Sequence, residues 1–286
     1  MPRQQLPSQR KQFTLGIDIQ TNRPRKLKIE AVDAKKPFTK YYQTVGDVHG
    51  FRHYDLLFPQ SPELLDVRIY DAHYKSYADF IKNTDSAVRN SIRVVDTQIK
   101  PLKTKPIWLT PQDEAFIKFA QKFSENAGLY SGTNHDGSPS IYRSADGKFT
   151  IDYYDKIIDR QTKQFVGTPA RIGHQTGVIE VSKNAFKNYT IPMRMVILLH
   201  EYSHKWRNPS RGLRVENESG ADINALEIYL SLGYSPIEAH QAFLYVFKDA
   251  DNDLNHNRYL IIKDFIQKFN DGKLKHYYST QNVVKK

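Results

Sequence analysis

Two of the chain's ten histidines stand four residues apart with a glutamate after the first, in the run His200-Glu201-Tyr202-Ser203-His204. On a helix, positions i and i+4 share one face, so both imidazoles can offer a nitrogen to a single metal ion. Glu201 sits beside them, where it can take a proton from a metal-activated water without ligating. Zinc needs a third protein ligand and an open position. Fourteen residues after His204, Glu218 can supply a carboxylate from Asn217-Glu218-Ser219-Gly220-Ala221-Asp222. Glu216 and Glu227 compete for that role. Glu216, however, falls just outside the expected helix, and Glu227 lies off the face shared by Glu218, Asp222 and Ala225. Asp222, one turn on from Glu218, can bond the far nitrogen of a ligand imidazole. The chain has no cysteine. That excludes a disulfide framework, thiolate nucleophiles, iron–sulfur clusters and Cys-built zinc sites, and leaves His, Asp and Glu to hold Zn2+.

Around the motif, apolar residues predict a helix over Pro192–Trp206 that carries it, and a second over Asn217–Leu232 closed by Gly233. Small Ser219, Gly220 and Ala221 let these two approach closely. Thr110-Pro111-Gln112-Asp113 reads as a helix start ahead of an apolar stripe of Phe116, Phe119, Ala120 and Phe123, with Gly128 as its stop. Ala145-Asp146-Gly147 predicts a hairpin turn between strands Ile141–Arg143 and Lys148–Tyr153. Further strands are expected at Phe165–Gly167 and at Gly177-Val178-Ile179-Glu180-Val181. The latter is expected to be an edge strand that takes an extended peptide by main-chain pairing. Ser235-Pro236-Ile237-Glu238 reads as a capping box opening another helix, and Arg258–Phe269 as the last.

Charge sets the N-terminal expectation. The chain has 42 Lys+Arg against 31 Asp+Glu, a net charge of +11. Residues 1–40 alone hold ten Lys/Arg against three Asp/Glu. Apart from short alternations at Phe13–Ile19 and Leu27–Val32, residues 1–60 read as a basic extended arm. Tyr41, Tyr42, Phe51, Tyr54 and Phe58 suit it to a protein interface, so homo- or hetero-oligomerisation through this arm is expected. Nucleic-acid contact by such an arm needs only Lys/Arg density and carries no base specificity. Residues 61–108 read as a small α/β segment and linker, with a helix around Asp71–Lys82 and an apolar alternation at Ile92–Ile99. Residues 109–286 are expected to form the domain that carries the motif, in an α+β chain. No signal peptide or apolar run long enough to span a bilayer is visible, which predicts a cytoplasmic protein.

The pair His-Glu-x-x-His at His200–His204 and Asn-Glu-x-x-x-Asp at Asn217–Asp222 resembles the gluzincin branch of the zincin metallopeptidases. The order of elements from about Leu109 to Gly272 is similar to a minimal zincin core: helix, strands with an edge strand, motif helix, glutamate helix, C-terminal helices. The resemblance implies peptide hydrolysis with His200, His204 and Glu218 as zinc ligands, Glu201 as general base, and Asp222 on a ligand imidazole. The chain departs from the family in its short gap between the two helices. It also lacks a clear match for the family's oxyanion-stabilising His or Tyr, for which Arg214, Tyr234 and His240 are candidates. In length, basicity, lack of cysteine and lack of a signal peptide it also resembles zincin-like virion and tail-block proteins of crAss-like bacteriophages. That likeness implies the alternative of a virion-associated structural component with a zincin fold as scaffold.

Overall fold

A computed structural model describes residues 2–159, 161–247 and 253–274. The chain folds as an α+β protein in two compact units. One comprises Met1–Lys105 with Thr190–Pro192 and Leu232–Glu238, and the other Pro106–Tyr189, Met193–Ser231 and Ala239–Lys286. The end of the expected 109–286 domain lies outside the described residues. Among those that are described, no helix is long and apolar enough to cross a membrane.

The first unit holds strands β1 (Arg3–Leu6), β2 (Phe13–Asp33), β3 (Lys40–Phe58), β4 (Leu65–Asp71) and β5 (Ile92–Lys100) and short helices α1 (Tyr77–Asn83) and α2 (Ser86–Asn90). The sheet order is β1-β4-β2-β3, with β5 also on β2. β2 and β3 pair antiparallel from Phe13↔Phe58 to Val32↔Lys40. The other edge of β2 is shared, β5 taking Thr14–Thr21 and β4 taking Leu27–Asp33. The two alternating pieces read as isolated in the sequence are therefore halves of one strand, with the register shifting between Thr21 and Arg25. Leu15, Ile17 and Ile19 bury one face in the first half, and Leu27, Ile29 and Ala31 in the second.

Residues 1–60 thus differ from the expected arm. Tyr41, Tyr42 and Phe58 are core residues of this sheet, while Phe51 is exposed. Several of the clustered cations are paired inside the unit: Arg3 lies 2.8 Å from Asp66, Arg25 3.3 Å from Asp71, and Lys28 and Lys40 3.5 and 3.4 Å from Glu30. The helix expected at Asp71–Lys82 starts later, because Asp71 ends β4 and Ser76 caps α1 by accepting from Asp79 N–H.

In the second unit α3 (Pro111–Asn126) opens with the predicted cap, where Thr110 and Asp113 form a reciprocal capping box. A four-stranded sheet follows, of β6 (Ser140–Arg143), β7 (Thr150–Tyr154), β8 (Ala170–Ile172) and β9 (Val178–Ser182), in the order β6-β7-β9-β8. β6 and β7 form the expected antiparallel hairpin, with Gly147 at φ +71° in its turn. The strand expected at Phe165–Gly167 is reduced to an isolated bridge from Phe165 to Ile158. Helices α4 (Lys183–Phe186), α5 (Ile191–Tyr202) and α6 (Asn208–Ser210) precede α7 (Glu218–Ser231), α8 (Pro236–Phe247) and α9 (Asp253–Asn270). Between α5 and α6 the backbone widens into a π-helical turn over Ser203–Arg207. Phe116 of α3 stacks on Tyr202 at 4.3 Å, and Tyr202 on Trp206 at 4.9 Å, which fixes the end of the motif helix against α3.

Candidate metal centre

Residues 191–199 of α5 are buried throughout, so the helix is held on its apolar sides and turns the end bearing His200 and His204 toward a cavity. One ligand atom each from His200, His204 and Glu218 lies within 4.8 Å of the others, the one group of this kind among the described residues. The two Nε2 atoms face each other at 3.0 Å. Glu218 Oε2 is 3.4 Å from His200 Nε2, and Oε1 is 3.7 Å from His204 Nε2.

Proton placement on the rings follows from their partners. His204 Nδ1 is 2.6 Å from the carbonyl oxygen of Val215, which can only accept, so Nδ1 carries the proton and Nε2 presents its lone pair. His200 Nδ1 lies 2.9 Å from Asp222 Oδ1, off the line of a straight hydrogen bond, and the carboxylate favours a proton there too. Arg258 of α9 grips both oxygens of Asp222, Nε at 2.8 Å and Nη2 at 2.9 Å, and reaches Glu218 Oε2 at 3.0 Å. Asn217 caps α7 by accepting from Gly220 N–H at 2.7 Å, which sets Glu218 at the first position of the helix.

The electrostatics follow the same geometry. Burial opposes charge on His200, yet Asp222, Glu218 and Glu201 outweigh it and hold the imidazole up at about 10. Burial and the charge on His200 push His204 down. Glu218 falls to about 2, its burial being overcome by His200, Arg258 and His204. Burial, reinforced by Glu218, raises Glu201 to about 7 against the opposing pull of His200, Arg258 and the backbone N–H of Ile172, which donates to its carboxylate. Two Nε2 atoms and a carboxylate thus converge on one point, where His200 holds a proton or a metal ion could stand in its place. Two nitrogens and one oxygen are a donor set open to several divalent ions, zinc among them.

A cavity of about 620 Å³ opens on this cluster. Val196, Ile197, Phe243 and Val246 give it apolar walls, and Glu201, His174 and Arg258 line it beside the ligand group. Glu227, the rival ligand, is occupied elsewhere by Arg207 and Arg211.

Two expectations need correction. Gly177–Val181 does not supply a free edge, because β9 pairs with β7 on one side and β8 on the other. The edge strand at the cavity is β8. Its hydrogen bonds to β9 run through Pro169 O with Ser182 N and Gly173 N with Val178 O. In the alternating antiparallel pattern, Ala170 N–H, Ala170 C=O and Ile172 C=O therefore face outward, the Ala170 C=O accepting from Thr168 Oγ1. Arg214, Tyr234 and His240 do not line the cavity. Tyr234 is buried and bonded to Gln60, Arg214 is exposed, and His240 packs against Tyr259.

His174 and Arg258 escaped the sequence reading. Arg258 was legible only as a basic residue on a helix, since its partner Asp222 is 36 positions away. The chain matches no protein-family model, no curated protein and no solved structure.

Proposed function

We propose that this chain is a zinc-dependent metallopeptidase in which His200, His204 and Glu218 hold the ion and Glu201 is the general base. The observation that carries the reading is the 3.0 Å approach of two imidazole Nε2 atoms beside Glu218, with His204 Nδ1 bonded to Val215 O and His200 Nδ1 2.9 Å from Asp222. A zinc ion held by these residues would supply Lewis acidity toward a peptide carbonyl and toward water. The residues of the chain do the rest. Val215 O and Asp222 keep the Nε2 atoms of His204 and His200 turned inward, and Arg258 fixes Asp222. Glu201, poised near neutrality, accepts the proton of the attacking water and hands it to the leaving amine. The outward Ala170 N–H and Ile172 C=O pair with an extended substrate backbone, and the apolar walls take its side chains and shed water.

The test pairs metal content with turnover. Zinc-loaded wild type should hydrolyse casein or a peptide library and lose activity to a chelator. Glu201→Gln should keep its zinc while kcat falls by about 10²–10⁴-fold. Equal turnover in the variant would sink the base assignment. Undiminished zinc binding by His204→Ala would sink the ligand set. Stoichiometric zinc without turnover in wild type would favour the scaffold role that the resemblance to phage virion proteins implies.

A further inference from the structure

A peptidase of this kind must stabilise the negative charge that develops on the carbonyl oxygen, and none of the three donors suggested by the sequence reaches the cavity. The donors that do line it are mostly committed. Arg258 is engaged by Asp222 and Glu218. Arg171 is held by Glu180 at 2.6 Å and by the carbonyl of Ile158. Thr168 donates to Ala170 O at 2.7 Å. His174 differs: its ring nitrogens make no hydrogen bond among the described residues, and the ring stands 5.7 Å from that of His204.

His174 also sits on a well-anchored backbone. It lies in the turn joining β8 to β9, closed by Gly177 N–H donating to Gly173 O at 2.7 Å and Gly173 N–H to Val178 O at 2.9 Å. The turn needs Gly177 at φ +75°, where a side chain would in addition meet Lys205 at 2.9 Å. Lys205 Nζ, one residue past His204, donates to the carbonyls of His174 and Gln175 at 2.8 and 2.7 Å. The loop is thus tied to the same turn of helix that carries a ligand imidazole. An exposed imidazole with an uncommitted N–H is held beside the cluster, on the side of the edge strand β8.

We propose that His174 is the oxyanion-stabilising residue: its ring N–H donates to the oxygen that becomes negative as the substrate carbonyl turns tetrahedral, and the proton stays on the ring. This rests on the peptidase reading of the site. It places the donor before the motif helix in the chain, on the edge-strand loop.

The experiment uses the full-length zinc-loaded protein with two substitutions. His174→Phe keeps the ring's bulk without a donor, and His174→Gln keeps an N–H donor. Three quantities are read: zinc stoichiometry and affinity, kcat and KM on a peptide, and the dissociation constant of a phosphonamidate dipeptide, whose tetrahedral anion mimics the developing charge. The proposal expects His174→Phe to bind zinc as wild type does and to lose about 10²–10³-fold in kcat. KM should stay within about threefold, because the lost interaction forms only in the transition state. Phosphonamidate affinity should fall in step, and His174→Gln should recover part of both losses.

Loss of zinc from His174→Phe would make the residue a ligand and overturn the proposal. So would wild-type kcat in that variant, or a Gln variant no better than Phe. Wild type that neither turns over peptide nor binds the phosphonamidate sinks the peptidase reading, and His174 with it. An active wild type with both variants unimpaired sinks His174 alone.

Discussion

Whether His200 keeps a second proton decides what its partners can hold. Asp222 and Glu218 hold that imidazole up at about 10, while His204 is pushed down and Glu218 to about 2. At neutral pH His200 therefore carries a proton on Nε2, in the place a divalent ion would take, and Glu201, at about 7, is only partly protonated. Zinc loading at pH 7.5 should release about one proton, measurable by calorimetry in buffers of different ionisation enthalpy. Affinity should rise about tenfold per pH unit between 7 and 9, since deprotonation is the step the metal competes with. Release of two protons, or of none, would contradict this assignment of protonation states. Arg258 belongs to the same account, because its two bonds to Asp222 hold the carboxylate where His200 needs it.

Among the elements, α3 and the end of α5 share one buried carboxylate. Asp113 accepts from Thr110 N–H at 2.9 Å within the capping box, from Tyr202 Oη at 2.7 Å and from Arg207 Nη1 at 2.9 Å. Burial works against its charge, but Tyr202, Thr110 and Arg207 outweigh it and hold Asp113 below the usual carboxylate range. A lowered native pKa contributes stability above the unfolded value of 3.8, and that contribution is lost as pH falls through the native one. Asp113→Ala should cost about 3–5 kcal/mol in urea unfolding, because it strips a partner from buried Arg207, well beyond the roughly 1 kcal/mol of a lost cap. A cost near that of the cap alone would show Arg207 to be fully served by Glu227.

α3, the β6–β7 hairpin and α7 were legible in the sequence, since Thr110, Gly147 and Asn217 act on their own neighbours. β2 was not, because Thr21–Arg25 breaks its alternation and its partners β3, β4 and β5 come from separate stretches of chain.

For the whole molecule, the two units raise the question of what holds residues 190–192 and 232–238 in the N-terminal one. Glu238 is fully buried there, accepting from Gln43 N–H at 2.9 Å and from Thr190 Oγ1 at 2.7 Å. Burial raises it to about 7 despite those bonds and Lys40. A carboxyl raised from 4.5 binds its proton more tightly when folded, so its contribution to stability is greatest below pH 4.5 and declines as pH rises through about 7. Glu238→Gln should flatten the fall in melting temperature between pH 5 and 8 and stabilise the protein at pH 8 by up to about 3 kcal/mol. Parallel pH profiles for the two proteins would rule this out.

The positive charge near the N-terminus takes a similar turn. Counted along the chain it suggested an arm reaching for partners, whereas Arg3, Arg25, Lys28 and Lys40 pair with acids of their own unit.

The sequence by itself determined that His200 and His204 share a helix face with Glu201 beside them, and that Glu218 and Asp222 share another. Spacings of four follow from helical geometry alone. Only the tertiary structure decided that these faces meet, that Arg258 grips Asp222, that β8 rather than β9 is the free edge, and that His174 stands beside His204. Each of these depends on which distant segments pack together. That choice is set by burial and pairing summed over the whole chain, which no local pattern of residues encodes.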